Sequence, residues 1–229
     1  MMTKAWTLRA LALFAAALAL GGCNLVVSET PVFTAADAAG APPLRPGVWS
    51  ATQPGCDFKP SDPVAKWPKC AGGGVITATA IMASVDTSSG GPDGQPPAVA
   101  KSPMTIPYLL AAGDPRVMQV NVKPPAQAGG PHVLFFFAAL KPVARDPDGR
   151  ITQAEVWAIQ CGPPPPPKPA ASADATDQGG ITDHPLPGMK VTDGMCAPTD
   201  KAAVRNAATA SRAWADQIGT MRWIRDGVK

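Results

Sequence analysis

Apolar residues at the start of the chain form one short, uninterrupted block. Residues 10–20 all carry apolar side chains, and residues 1–9 hold Lys4 and Arg9 but no acid. The block is too short to cross roughly 30 Å of hydrocarbon as a helix. A basic front, a short apolar core and small residues behind it are typical of a secretory signal peptide. The pattern therefore predicts that residues 1–22 are removed from the mature chain.

Farther along the chain, the apolar patterns predict β-strands. Residues 75–85 are rich in Val, Ile and Thr, and residues 116–122 alternate apolar with polar side chains. Residues 104–111 and 116–122 flank Ala112-Gly113-Asp114-Pro115, a turn sequence that predicts a hairpin. Residues 133–143 are apolar on both faces, which predicts a central strand covered on both sides.

The connection after this central strand is rich in residues that favour a tight turn. Residues 145–150 are Arg-Asp-Pro-Asp-Gly-Arg. Pro and Asp at the centre, followed by Gly, suit a type I turn that closes with a left-handed glycine. We therefore expect a hairpin between residues 133–143 and a further strand at residues 151–161.

A helical pattern follows near the C-terminus. Small and apolar residues recur there at steps of three and four, which predicts a helix with one narrow packing face: Val204, Ala208, Ser211, Ala215 and Ile218. Thr199 is the expected N-cap, and Gly219 the expected end. Residues 220–226 alternate like a last half-exposed strand, with a continued helix as the alternative.

Together these segments predict a mainly β (α+β) fold. We expect an antiparallel sheet or partial barrel of about six to eight strands, with one C-terminal helix and Pro-rich loops. This single domain would extend over residues 44–229. Residues 163–188, which begin with five consecutive prolines, would form a Pro-rich loop inside it. Residues 23–43 lack periodicity and are expected to form a flexible tether.

The apolar block ends in Leu20-Gly21-Gly22-Cys23. These residues resemble the lipobox of bacterial lipoproteins, which has an aliphatic residue, two small residues and a cysteine. The resemblance implies diacylglycerol on the Cys23 thiol, cleavage before Cys23 and acylation of the freed amine. Asn24 in place of an Asp favours the outer membrane of a Gram-negative cell. An ordinary signal peptide with an incidental cysteine is the alternative.

Charge excludes one class of partner for the mature chain. Lys4 and Arg9 leave with the signal peptide, so 18 of the 20 basic residues remain against 17 acids. A nearly neutral chain has no basic field to attract nucleic acid, and we expect no nucleic-acid partner. The expected attachment is to the membrane, through the N-terminal lipid.

Four further cysteines predict a disulfide framework. Cys56, Cys70, Cys161 and Cys196 are an even number in an oxidising compartment. Of the three possible pairings, the two local closures, Cys56 with Cys70 and Cys161 with Cys196, are favoured. A zinc site is the competing interpretation, but the close Cys spacing of such sites is missing and the chain has two histidines.

Other candidate chemistry is sparse, and we assign no catalytic residue, metal or cofactor. Residues 146–149 begin like a calcium loop but lack its later ligands, so a turn is the better interpretation. Gly72-Gly73-Gly74 lacks the Lys and the helix of a phosphate loop. His132 and His184 stand near no nucleophile motif.

Three functional hypotheses follow. The first is a non-catalytic binding or accessory lipoprotein of the envelope, facing the periplasm, with an envelope protein or peptidoglycan as partner. The body is similar in plan to many uncharacterised Gram-negative envelope lipoproteins. The second is a hydrophobic-ligand carrier with a barrel interior lined by Phe135, Phe137 and Trp157. The third is a hydrolase of cell-wall or other esters, which would need His132 or His184 to meet a serine and a carboxylate.

Overall fold

A computed structural model of the protein describes residues 24–52, 56–68, 70–87, 100–123, 133–165, 180–215 and 218–227. Its strands are β1 (Val27–Ser28), β2 (Gly47–Thr52), β3 (Ala71–Ile76), β4 (Ala80–Thr87), β5 (Ala100–Ala111), β6 (Arg116–Val122), β7 (Leu134–Arg145), β8 (Ile151–Ala158), β9 (Met189–Thr192), β10 (Met195–Pro198) and β11 (Gly219–Arg225). Its α-helices are α1 (Ala35–Ala38) and α2 (Lys201–Ser211).

Eight antiparallel strands close into a barrel. Their order is β7-β6-β5-β4-β3-β2-β11-β8, and β8 pairs back with β7. The short β1 adds to β7 beyond the end of β8, and β9 pairs with β10 as a separate hairpin. The predicted class, a mainly antiparallel β fold with one long C-terminal helix, is confirmed, and the sheet is fully closed.

The barrel interior is a packed apolar core. Trp49 of β2, Met118 of β6 and Leu140 of β7 belong to one cluster of buried side chains, and Phe136 and Trp223 pack against it. Residues on opposite sides of a closed sheet meet only inside it, so this cluster fills the barrel.

A second apolar layer lies outside β5 to β8, under α2. Phe137 of β7 and Trp157 of β8 are buried there with Val204 and Ala208 of the helix. Trp157 Nε1 donates a hydrogen bond of 2.8 Å to the Ala208 carbonyl. Both faces of β7 are therefore covered, as its continuous apolar run predicts.

Residues 24–43 correct the expectation of a flexible tether. Val26 and Phe33 are buried in the layer under α2, and β1 pairs with β7. The Gln119 side chain accepts the backbone N–H groups of Val32 and Phe33, both at 2.9 Å, and donates to the Phe33 carbonyl at 3.1 Å. The folded body therefore includes residues 24–43 and does not start at residue 44. Such single anchors leave no periodic pattern in the sequence.

The Cys56–Cys70 disulfide closes a loop over the outside of β2, β3 and β11. Trp67 is buried against Val48 in this loop, and its ring lies 4.6 Å from that of Phe58. Cys161 and Cys196 form the second bridge. Both predicted pairings are confirmed.

The bounds of α2 correct two sequence-based predictions. Asp200, not Thr199, is the N-cap, and its carboxylate accepts the Ala203 N–H at 2.8 Å. The helix ends at Ser211 rather than near Gly219. Gly219 instead begins β11, which confirms the predicted last strand and rules out a continued helix.

Candidate functional site

Asn24 is fixed to the barrel at the point where the described chain begins. Its side-chain N–H donates to the Gly162 carbonyl at 3.0 Å, and its side-chain oxygen accepts the Thr182 N–H at 3.2 Å. Its backbone carbonyl accepts the Cys161 N–H at 2.7 Å. Only 7 % of Asn24 is exposed. The residue that follows the predicted lipidation site is thus a buried, hydrogen-bonded part of the fold.

The Cys161–Cys196 disulfide lies beside Asn24. Both cysteines are fully buried, with Cα atoms 5.9 Å apart. Cys196 also forms a parallel bridge with Val26. The disulfide therefore joins β10 and the N-terminal segment to the end of β8. Cys23 itself lies outside the described residues.

Strand directions define two ends of the barrel. Leu25 bridges Gln160, just beyond β8, so Asn24 lies where β8 finishes. The β7–β8 turn at residues 146–149 lies at the other end of the same strands. Gln160 is the ninth residue after Ile151, which corresponds to about 30 Å along the strand. We name these the Asn24 end and the turn end.

The turn end holds an ionic network rather than a metal site. Asp146 accepts the N–H groups of Asp148 and Arg150 at 3.1 and 2.9 Å, and Arg150 Nε donates to it at 2.8 Å. Burial alone would raise the pKa of the Asp146 carboxyl, but the hydrogen bonds and charge of Arg150, together with Arg45, lower it. The carboxylate oxygens are already occupied by protein donors, which confirms the predicted turn.

His184 takes part in no catalytic arrangement within the part of the chain that the structure describes. His184 is exposed, and among the described residues its imidazole bonds to no carboxylate or hydroxyl group. His132 lies outside the described residues. Within the described ranges, no group of three or more His, Cys, Asp or Glu residues is placed to hold a metal ion.

The prediction that Phe135, Phe137 and Trp157 line the barrel interior is wrong. Phe137 and Trp157 are buried outside the barrel, beneath α2, and Phe135 packs against the same layer. Their strand positions alternate with Phe136 and Ala138, which belong to the interior cluster. These aromatic side chains can lie outside the barrel because α2 and residues 24–39 cover them with a second apolar layer. The strand pattern alone does not show this layer.

A groove of about 310 Å³ opens toward the turn end, between α1 and β5. We name it the Tyr108 groove. It carries no charged residue and is lined mostly by small or apolar side chains: Ala35, Ala38, Ala39, Ala41, Pro42, Pro43, Leu44, Ala78, Thr79, Tyr108, Leu109 and Leu110. The Tyr108 hydroxyl donates to the Thr77 carbonyl at 2.9 Å, and burial raises its pKa to about 12. Tyr108 therefore stays neutral at physiological pH and serves as a wall of the groove.

Sequence reasoning missed Asn24 and Gln119 as structural anchors. Their partners lie 86 to 158 residues away along the chain, so no local spacing points to them. No helix among the described residues has the length and apolar character to span a bilayer. Comparison of the chain with protein families, curated proteins and solved structures finds no match.

Proposed function

We propose that this chain is a lipid-anchored protein of the bacterial envelope, with Cys23 acylated after removal of residues 1–22. In this proposal the barrel faces the periplasm from the outer membrane and acts as a non-catalytic binding or accessory body. The buried hydrogen bonds of Asn24 are the main support for this proposal. Its buried contacts all lie C-terminal to the expected cleavage point, so cleavage before Cys23 leaves them intact.

The two disulfides support the compartment. Both bridges close loops within the barrel body, over 14 and 35 residues of sequence. Structural disulfides persist in oxidising compartments such as the periplasm and are rare in the cytosol. A chain that is exported through the membrane and folds beyond it would form both bridges.

The Tyr108 groove supports a binding role, with an envelope protein as the favoured partner. Its lining is uncharged, and the Tyr108 hydroxyl is already bonded to Thr77. Peptidoglycan would bring hydroxyl and carboxylate groups that need polar partners on burial. Apolar side chains of a protein segment can enter the groove without polar partners while its backbone remains in contact with water, so the groove suits a protein better than a glycan.

Metabolic labelling with an alkyne fatty acid tests the anchor. The wild-type chain, expressed in a Gram-negative host, should take up the label, and Cys23→Ser should not. Gly22→Ala is the matched control, because it keeps a small residue before the cysteine and should label like wild type. Equal labelling of Cys23→Ser and wild type would overturn the anchor.

Sedimentation with purified peptidoglycan tests the partner. The barrel without its anchor should stay in the supernatant. Saturable sedimentation that is abolished by Ala38→Glu, a charge placed in the Tyr108 groove, would instead assign the groove to peptidoglycan.

A further inference from the structure

We infer that the Asn24 end of the barrel rests directly on the lipid bilayer, with the turn between β9 and β10 in the interfacial layer. This inference depends on the proposed lipidation of Cys23. It goes further because it fixes which face of the barrel meets the membrane and which face remains free.

The chain has no spacer between the proposed lipid and the folded body. One peptide unit separates Cys23 from Asn24, so their Cα atoms are about 3.8 Å apart. Asn24 is bonded to residues 160–162 and 182 and is 7 % exposed. A flexible tether would let a domain stand away from its anchor. A lipid on Cys23 is instead coupled to the rigid end of the barrel.

The β9–β10 hairpin lies next to this attachment point. Val26 and Cys196 form a parallel bridge. Because this bridge is parallel, Leu25 lies level with Met195, and the Asp193-Gly194 turn lies level with Asn24. The end of β8 is level with the same point, because Leu25 bridges Gln160. The hairpin turn and the lipid therefore project from the same end of the barrel.

Of the six exposed large apolar side chains among the described residues, three lie at this end, and the others, Met82, Met104 and Val143, lie elsewhere on the barrel. Val191 and Met195 of the hairpin are 41 % and 38 % exposed. Ile218 is 40 % exposed and precedes Gly219, which pairs with Val156 near the end of β8. Single exposed apolar residues need no explanation, but several beside a lipid attachment point suit the boundary between headgroups and acyl chains.

Charge does not account for membrane contact here. Lys190 is exposed at this end, but so are Asp183 and Asp193. Such a mixed surface gives no attraction to anionic lipids. The lipid must therefore supply the binding, and its attachment one residue before the buried Asn24 sets the orientation, with the exposed apolar side chains placed to enter the interface. The opposite end, with the Tyr108 groove, is left free for a partner.

Depth-dependent fluorescence quenching tests this orientation. The lipidated protein is reconstituted into vesicles of phosphatidylethanolamine and phosphatidylglycerol. An environment-sensitive fluorescent amino acid is placed at Met195 in one sample and at Asp148, in the turn end, in the matched control. Lipids with a nitroxide near the headgroup should quench the probe at 195 several-fold more than the probe at 148, and the 195 emission should shift to the blue. A spacer of roughly ten Gly and Ser residues between Cys23 and Asn24 should bring the two signals together.

Each outcome bears on a distinct claim. If the protein carries lipid and floats with the vesicles but both probes are quenched equally, the orientation is overturned and the anchor stands. If 195 is quenched just as strongly with the spacer, the absence of a tether is not what orients the barrel, and the inference also fails. If the envelope-purified protein carries no lipid and does not float, both the inference and the proposed anchor fail.

Discussion

Two buried amide side chains hold the N-terminal segment to the barrel. Asn24 and Gln119 each donate and accept hydrogen bonds to distant backbone groups. An amide can do both at once, which suits backbone segments that lack a β-strand partner. The segment that the sequence predicted to be a tether is therefore ordered through a few polar residues rather than through a repeating apolar face.

Replacing Gln119 by Met should destabilise the fold. Met keeps the length of the side chain but leaves the partly buried Val32 N–H and the buried Phe33 N–H and Phe33 carbonyl without their partner. Unsatisfied buried groups of this kind cost about 2–3 kcal/mol in the free energy of unfolding. Urea denaturation measures the loss. Gln153→Met, at a half-buried position, is the control and should unfold near the wild-type midpoint.

The ion pair between Asp37 and Lys201 should make stability depend on pH. The hydrogen bond from Lys201, at 2.7 Å, and then that from the Thr34 N–H lower the pKa of Asp37 from 3.8 to about 2. The unfolded chain takes up this proton first, so the contribution of Asp37 is complete above about pH 4 and is lost as the pH falls toward 2.

Urea midpoints at pH 5 and pH 2.5 test the Asp37 prediction. The fall in midpoint should be smaller in Asp37→Asn than in wild type, while Asp57→Asn, at an exposed position, should keep the wild-type fall. A carboxyl carbon titration by NMR should place the Asp37 pKa near 2. A wild-type fall in Asp37→Asn would show that the ion pair does not act this way.

The sequence predicted the contacts of single residues correctly where the contacting residues are close together in the chain. The cysteine pairing followed from compartment and spacing, and the Asp146 turn from its own residues. The helix N-cap was missed by one position, because Thr199 and Asp200 are both good caps and backbone geometry chose between them. Gln119 could not be predicted, since its partners lie 86 and 87 residues away.

At the scale of elements, the glycine at position 73 of β3 is explained by the loop that covers it. A Cβ atom on Gly73 would lie 2.5 Å from the Trp67 ring and 2.8 Å from Val64. Gly73→Ala should therefore push the disulfide loop away from the sheet and cost about 1–3 kcal/mol. Gly219→Ala is the matched control, because its Cβ would meet the nearest atom at 3.6 Å. Equal urea midpoints for the two variants would contradict the close packing of Trp67.

The two disulfides should contribute unequally to stability. Replacing Cys161 and Cys196 by Ala opens a closure of 35 residues, and replacing Cys56 and Cys70 opens one of 14. Loop entropy gives about 4 and about 3 kcal/mol for these closures. The first pair also joins β10 to the buried N-terminal segment, so its loss should increase amide exchange at residues 24–28 as well. Loss of the second pair should leave that exchange unchanged.

Element prediction was best for hairpins with strong turn residues. The β5–β6 and β7–β8 hairpins appear where Gly113-Asp114-Pro115 and Pro147-Asp148-Gly149 predicted them. The β9–β10 hairpin was missed, because its four-residue strands are largely exposed and show little apolar alternation. Its position depends on Cys196 and Val26, which are far apart in sequence.

At the scale of the molecule, barrel closure depends on the last strand. β11 pairs with β2 on one side and with β8 on the other, and so joins the first and later parts of the sheet. The sequence predicted an open or partly closed sheet, because hydrophobic alternation identifies strands but not partners of high sequence separation. The second apolar layer was equally hidden, and for this reason the outward Phe137 and Trp157 were assigned to the interior.

The two ends of the barrel have different proposed roles. The Asn24 end carries the proposed attachment point and the exposed apolar hairpin, and the turn end carries the uncharged Tyr108 groove. A rigid barrel between them, with its strands tilted by about 35–45° from the axis, would hold the groove about 20–25 Å from the membrane. Both roles depend on the chemical state of one cysteine.

The intact mass of the protein purified from envelope membranes is the most direct test of whether Cys23 carries lipid. We expect a chain that begins at Cys23, carries diacylglycerol and an N-terminal acyl group, and is lighter than its reduced form by the four hydrogen atoms that two disulfides remove. A mature chain with an unmodified Cys23, or one that still carries residues 1–22, would contradict the account.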